Sequence, residues 1–142
     1  MSKVGFIGVG TMGCPMASNI VSKGNELNFY DPFVQAENKS KLENLGGKYC
    51  SSIKDLLDDR DFVITMLPNG NNVKDVCLGE EGLLKQEKKD YIHIDMSTIL
   101  PADSIAINKE FELQKIKMFD APVARLVNNA IDGTLLILVG GD

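Results

Sequence analysis

The sequence predicts an α/β fold, a doubly wound and mostly parallel sheet with helices on both faces. Three observations lead there. Short runs rich in Val, Ile and Phe alternate along the chain with longer stretches of helical period, as successive βα units require. The run Phe62 to Leu67 is apolar almost throughout, as expected of a central parallel strand buried on both faces. A glycine-rich turn, Gly8 to Gly13, joins the first apolar run to the first helical stretch.

Each element follows from local chemistry. Lys3 to Val9 reads as a buried strand, and Thr11 to Lys23 as a helix whose Met12, Met16, Ala17, Ile20 and Val21 form one apolar stripe, stopped by Gly24. The Met stripe is read as core rather than as a ligand site. Glu26 to Tyr30 is the second strand, Val34 to Leu45 a helix closed by Gly46-Gly47, and Lys48 to Cys50 a short third strand. Ser52 has the residue type that caps a helix, here Ile53 to Asp58. Pro68 ends the central strand before an Asn69-Gly70 turn, after which Val73, Val76 and Cys77 mark a short helix. Tyr91 to Met96 is the fifth strand, and Pro101 opens a helix running to about Gln114. Lys117 to Val123 and Thr134 to Val139 are expected to complete the sheet.

Composition removes several function classes. The chain has 142 residues, 44% hydrophobic and 25% charged, which is the size and balance of one ordinary globular domain. No apolar run approaches the roughly 20 residues that span a bilayer, and the start of the chain lacks a secretory h-region, so a cytoplasmic protein with no membrane partner is expected. With 20 acidic against 15 basic residues the net charge is −5, and no cluster of Lys and Arg is available to displace counterions from a phosphate backbone. No nucleic-acid partner is expected. The stretch Lys85 to Lys89 is interrupted by Glu87 and reads as a solvated segment. Cys14, Cys50 and Cys77 are widely spaced and form no CxxC pair, so neither a zinc site nor a disulfide framework is expected, and no metal is assigned. Cys14 sits where a helix N-terminus could stabilise a thiolate, but a small packing residue is the favoured reading. His93, the one histidine, falls mid-strand between Ile92 and Ile94 and reads as structural.

Gly8-Val9-Gly10-Thr11-Met12-Gly13 fits GxGxxG between a strand and a helix, the context in which that pattern binds a dinucleotide. Gly8 permits the tight turn, Gly10 lets a pyrophosphate approach the backbone, and Gly13 lets helix and sheet pack closely. The N–H groups of Thr11 and Met12 then face an anion at the positive end of the helix. Asp31 ends the second strand 23 residues after Gly8, near the offset at which an acid meets the adenosine ribose. Its charge would repel a 2′-phosphate, and Pro32, Phe33 and Val34 offer no cation to receive one, so NAD is expected, with NADH preferred over NADPH. A P-loop is excluded because no Gly-Lys-Ser or Gly-Lys-Thr follows. A methyltransferase could share the first turn and the acid, but would not need the third glycine.

The motifs together resemble the β-hydroxyacid dehydrogenase family. Gly5 to Asn19 resembles its cofactor signature, and Ile64 to Gly70, Ile94 to Thr98, Asp120 to Val123 and Gly133 to Leu135 follow in family order. The resemblance implies an N-terminal, Rossmann-type NAD-binding domain of the 6-phosphogluconate dehydrogenase kind over residues 1–142. It implies that Gly8, Gly10, Thr11, Met12, Gly13 and Asp31 hold the cofactor, with Leu67 and Pro68 lining the cleft and Thr98 near the nicotinamide. Ser97 is a candidate substrate contact; a helix cap ahead of Pro101 is the alternative for both Ser97 and Thr98.

Many family members have Ser-Gly-Gly after Pro-Val, where this chain has Ala124-Arg125-Leu126. The Arg125 fork could grip a carboxylate, sulfonate or phosphate by paired hydrogen bonds. That variant, together with Asn129-Ala130-Ile131 and Gly133-Thr134-Leu135-Leu136, is most similar to the sulfolactaldehyde reductase branch. The family continues into an all-helical domain carrying its catalytic Lys, whereas this sequence stops at Asp142, so no catalytic residue is assigned. The implied function is hydride exchange between NAD and a short 3-hydroxyacid, or its sulfonate analogue, and the aldehyde. The full-length form is expected to be a homo-oligomer. The alternative is a non-catalytic NAD-binding module or a truncated remnant.

Overall fold

The computed structural model describes residues 1–124 and 127–140. Six strands form one sheet: β1 (Lys3–Ile7), β2 (Glu26–Tyr30), β3 (Lys48–Tyr49), β4 (Phe62–Thr65), β5 (Ile92–Asp95) and β6 (Met118–Asp120). Their order is β3-β2-β1-β4-β5-β6 and every neighbouring pair is parallel. The chain therefore winds outward from β1 to β3, returns, and winds outward the other way from β4. That reversal opens a crevice beyond the carboxyl ends of β1 and β4, where open α/β sheets bind ligands.

The crossovers are α1 (Gly13–Ser22), α2 (Ala36–Asn44), α3 (Ile53–Leu56), α4 (Gly70–Leu78) and α5 (Pro101–Leu113). Side chains alternate along β1, so Val4 and Phe6 join one core with Phe29, Leu42 and Ile64, while Ile7 joins the other with Val63, Ile107 and Phe111. Phe6, Phe29 and Phe111 are each fully buried. At about 1.5–3 kcal/mol per buried large apolar side chain, both faces contribute to holding the sheet.

Local signals act as read from the sequence. Ser52 Oγ accepts the Asp55 N–H at 3.1 Å and caps α3. Gly24, at φ +90°, turns the chain after α1 and donates its N–H to the Val21 carbonyl at 3.1 Å. Asn69 is more than part of a turn: its side chain accepts the Asn72 N–H at 3.0 Å, and Gly70 is the first residue of α4.

The end of the chain departs from expectation. Lys117 to Val123 is not one strand, because after β6 it breaks at Ala121-Pro122 and resumes as β7 (Val123–Ala124). Pro122 has no N–H to give a ladder, which confines proline to strand edges and breaks. Thr134 to Val139 does not complete the main sheet: β8 (Leu136–Ile137) pairs antiparallel with β7 in a separate two-stranded sheet. An isolated antiparallel bridge between Asp120 and Gly140 is its link back to β6. Between them, α6 (Val127–Asp132) is tied to α1 by Asn19, whose side-chain amide donates to the Ala130 carbonyl at 2.6 Å. Among the described residues no helix is long and apolar enough to cross a membrane.

Candidate cofactor cleft

The crevice at the carboxyl ends of β1, β2 and β4 is a cleft of about 730 Å³. Gly8, Gly10, Thr11, Met12, Gly13, Asp31, Leu67 and Pro68, assigned from the sequence, all line it. Their mechanics can be read individually. Gly8 sits at φ +97°, where a side chain is strained, and a Cβ there would lie 2.2 Å from the Met66 carbonyl oxygen. A Cβ on Gly13 would lie 1.8 Å from the Gly8 carbonyl oxygen. A Cβ on Gly10 would meet no protein atom within 4 Å. Gly8 and Gly13 are thus required by the fold, whereas Gly10 faces open cleft, as a position reserved for a ligand would. The first intrahelical bond of α1 runs from Cys14 N–H to the Gly10 carbonyl at 2.9 Å, so the amides before it lie at the positive end of the helix.

Asp31 is fixed by the backbone around it. One carboxylate oxygen accepts the Val9 N–H at 3.0 Å and the other the Phe33 N–H at 2.8 Å. These bonds hold the acid against the glycine turn, and each oxygen keeps a further acceptor lone pair on a residue that lines the cleft. Pro32 and Phe33 continue the wall, and Phe33 is 86% exposed.

The opposite wall was not legible in the sequence. Asn72, Asp75 and Val76 reach it from one face of α4, Ser51, Ser52 and Ile53 from the start of α3, and Glu81 and Gly82 from the loop after α4. The spacing of Asn72, Asp75 and Val76 was a usable signal, since positions three and four apart share a helix face. Among the described residues the cleft is lined by three acids, Asp31, Asp75 and Glu81, and by no Lys, Arg or His. Burial, then the charges of nearby groups including Glu81 and Asp31, raises the pKa of the Tyr30 hydroxyl at its floor.

The residues after β5 divide. Thr98 is exposed and stands outside the cleft lining. Ser97 lies beneath that surface: it is 3% exposed, and its Oγ accepts the Leu67 N–H at 2.8 Å. Neither residue caps α5, whose N-cap is Leu100 and whose first turn carries Pro101. Arg125 lies outside the described residues. Cys14 is buried, and burial pushes its thiol pKa up, so it is a packing residue rather than a stabilised thiolate. His93 is fully buried and structural, as its mid-strand position implied.

Comparison with known proteins decides the family. Residues 3–142 match the model described as the NAD binding domain of 6-phosphogluconate dehydrogenase. The chain belongs to this family. It is 40% identical over 141 residues to the 3-sulfolactaldehyde reductase of Escherichia coli (strain K12), covering 99% of this chain and 47% of that protein. The solved structure of Mycobacterium tuberculosis 3-hydroxyisobutyrate dehydrogenase with L-serine superposes with a TM-score of 0.88 at 32% identity, covering 100% of this chain and 47% of that one. A structure of Psf3 in complex with NADP+ and 2-OPP gives a TM-score of 0.88 at 26% identity, covering 98% of this chain and 49% of that one. The chain spans about half the length of the curated relatives it matches. The doubly wound α/β fold and the nicotinamide-binding family are thereby established.

Proposed function

We propose that the protein is the cofactor-binding part of an NAD-dependent dehydrogenase acting on a short 3-hydroxyacid, or its sulfonate analogue, and the corresponding aldehyde. The observation that carries this reading is Gly10, open to the cleft between two sterically required glycines and beside an Asp31 locked by two backbone amides. A bound nicotinamide would supply or accept the hydride. The chain's own residues bind and orient. Thr11 and Met12 offer backbone N–H groups to a pyrophosphate at the positive end of α1. Asp31 accepts hydrogen bonds from the adenosine ribose hydroxyls. Leu67 and Pro68 exclude water from the β4 side, and Thr98, which stands outside the cleft lining, is proposed to meet the part of the nicotinamide ribose or ring that projects beyond it.

NADH is preferred over NADPH in this reading, because a 2′-phosphate would add charge beside Asp31 in a cleft that also carries Asp75 and Glu81. Electrostatic repulsion of this kind discriminates by opposing the wrong ligand rather than by tightening the right one. Arg125 is proposed to grip the anionic end of the substrate. No residue of this chain is assigned the proton transfer.

A parallel titration with NADH and NADPH, followed by nicotinamide fluorescence, tests the cofactor reading. Saturable binding with NADH the tighter supports it; tighter NADPH overturns the preference, and binding of neither overturns the site. For the substrate, Arg125→Ala in the full-length enzyme is expected to raise KM for an anionic aldehyde at least tenfold, the scale of a lost charge-assisted bond. An unchanged KM and kcat/KM sinks that role.

A further inference from the structure

Directly beneath the β4 side of the cleft lies a polar cluster with no access to solvent. Thr65, His93 and Asp95 are each 0% exposed, on the paired strands β4 and β5, where Thr65 is the register partner of Asp95. Thr65 Oγ1 donates to Asp95 Oδ1 at 2.9 Å, so its 2.9 Å contact with His93 Nε2 makes that ring nitrogen the donor. The same Asp95 oxygen accepts the Ser97 N–H at 3.1 Å. Ser97 Oγ in turn accepts the Leu67 N–H, and Leu67 lines the cleft. A continuous chain of bonds therefore runs from a buried carboxyl group to the cleft wall.

Its placement matters because the backbone ladder stops there. The last β4–β5 ladder bond is Met96 N–H to the Thr65 carbonyl at 2.8 Å. Beyond it Pro68 has no N–H to give, and the bond from Leu67 N–H to Ser97 Oγ joins the two loops. Burying a carboxyl group is costly unless its bonds are well made, and Asp95 keeps one oxygen, Oδ2, without a partner. An apolar side chain would fill the space without that cost. The β4–β5 side is also the side of β1 away from Asp31, so with the adenosine at Asp31 it is the nicotinamide half of the cleft.

We propose that Asp95, which does not touch the cleft, is a positioning residue for its nicotinamide half: it fixes Ser97, and Ser97 holds the Leu67–Pro68 wall. This rests on the cofactor reading above. The test compares NADH, which fills both halves, with ADP, which fills only the adenosine and pyrophosphate half. In Asp95→Ala and Ser97→Ala of this chain, NADH affinity is expected to fall about tenfold while ADP affinity stays within about twofold, the scale of losing one or two buried hydrogen bonds at one end of the ligand. Asp95→Asn keeps an oxygen for Thr65 and Ser97, and Ser97→Thr keeps the hydroxyl; both are expected to restore NADH binding to within about threefold of wild type. NADH and ADP weakening together, or NADH binding unchanged in Ser97→Ala, overturns the proposal. Should Asp95→Ala not fold, the Ser97→Ala and Ser97→Thr pair decides it. A wild-type chain that binds neither ligand overturns the cofactor reading, whereas a wild-type chain that binds both with variants indistinguishable from it overturns only the role of Asp95.

Discussion

Gly13 lies so close to Gly8 that a Cβ on it would stand 1.8 Å from the Gly8 carbonyl oxygen, well inside any contact real atoms make. The obstacle is backbone, so no side-chain rotation relieves it. Gly13→Ala must push the turn away from α1, and overpacking of this kind costs about 1–3 kcal/mol or more. Urea unfolding is expected to show that loss, with NADH binding lost alongside it. An unchanged midpoint would mean that the turn and α1 can separate freely.

Gly10→Ala should separate the two properties. Its Cβ would meet no protein atom within 4 Å, so stability is expected to stay within about 0.5 kcal/mol of wild type, as for an exposed substitution. The methyl would instead occupy the path of the pyrophosphate, and NADH affinity is expected to fall at least tenfold, about 1.4 kcal/mol. The measurement is a thermal melt paired with a titration on the same sample.

The contrast shows how much was legible. GxGxxG and its strand-to-helix setting gave each glycine a distinct job from sequence, because those jobs are local backbone geometry. Ser52, Gly24 and the register of apolar runs were legible for the same reason. Ser97 was not, since what its hydroxyl faces depends on how β4 and β5 lie side by side, and a small polar residue after a strand equally suggests a cap or a ligand. Asp75 and Glu81 were hidden because α4 and its following loop fold back over the cleft. Thr134 to Val139 has the composition of a core strand, yet Leu138 and Val139 are exposed and only Leu136–Ile137 pair, with β7 rather than the main sheet. Composition carries no information about which edge a strand joins.

His93 makes stability depend on pH in a stated direction. Burial lowers its pKa from the usual 6.5 to about 3. Between those values the unfolded chain binds a proton that the folded chain refuses, so stability falls as pH drops from about 6.5 towards 3. The slope from this one group approaches about 1.4 kcal/mol per pH unit. Asp95 acts in the opposite sense: burial first, against bonds from Ser97 and Thr65, raises its pKa above 3.8, so the folded chain takes up its proton more readily in acid. His93→Phe removes the refused proton, and its stability is expected to be flatter than wild type from pH 6.5 to 4 in urea unfolding. Parallel acid limbs would show that other groups govern the fall.

All three cysteines are free and buried. Burial is the largest cause raising each thiol pKa, most strongly at Cys77. Since the thiolate is the nucleophile, labelling by a disulfide reagent at pH 8 is expected to be slow in the native chain and complete within the mixing time in urea. Rapid labelling of one thiol without denaturant would locate a part of the fold that opens readily.

Asp31 performs two jobs, closing a turn and carrying a charge into the cleft. Its carboxylate closes the Val9 and Phe33 amides onto the β2 turn, and its charge faces the region assigned to the ribose. Asp31→Asn keeps the shape and one oxygen acceptor, so one of the two backbone amides keeps its bond while the other faces an NH2 group and loses it, and the repulsion of a 2′-phosphate weakens with the charge. Asp75 and Glu81 remain on the far wall, and no cation lines the cleft among the described residues. The ratio of NADH to NADPH affinity is therefore expected to narrow by about tenfold without inverting, consistent with removing one of several like charges. Inversion would assign the discrimination to Asp31 alone; an unchanged ratio, with the turn intact by circular dichroism, would remove Asp31 from cofactor selection.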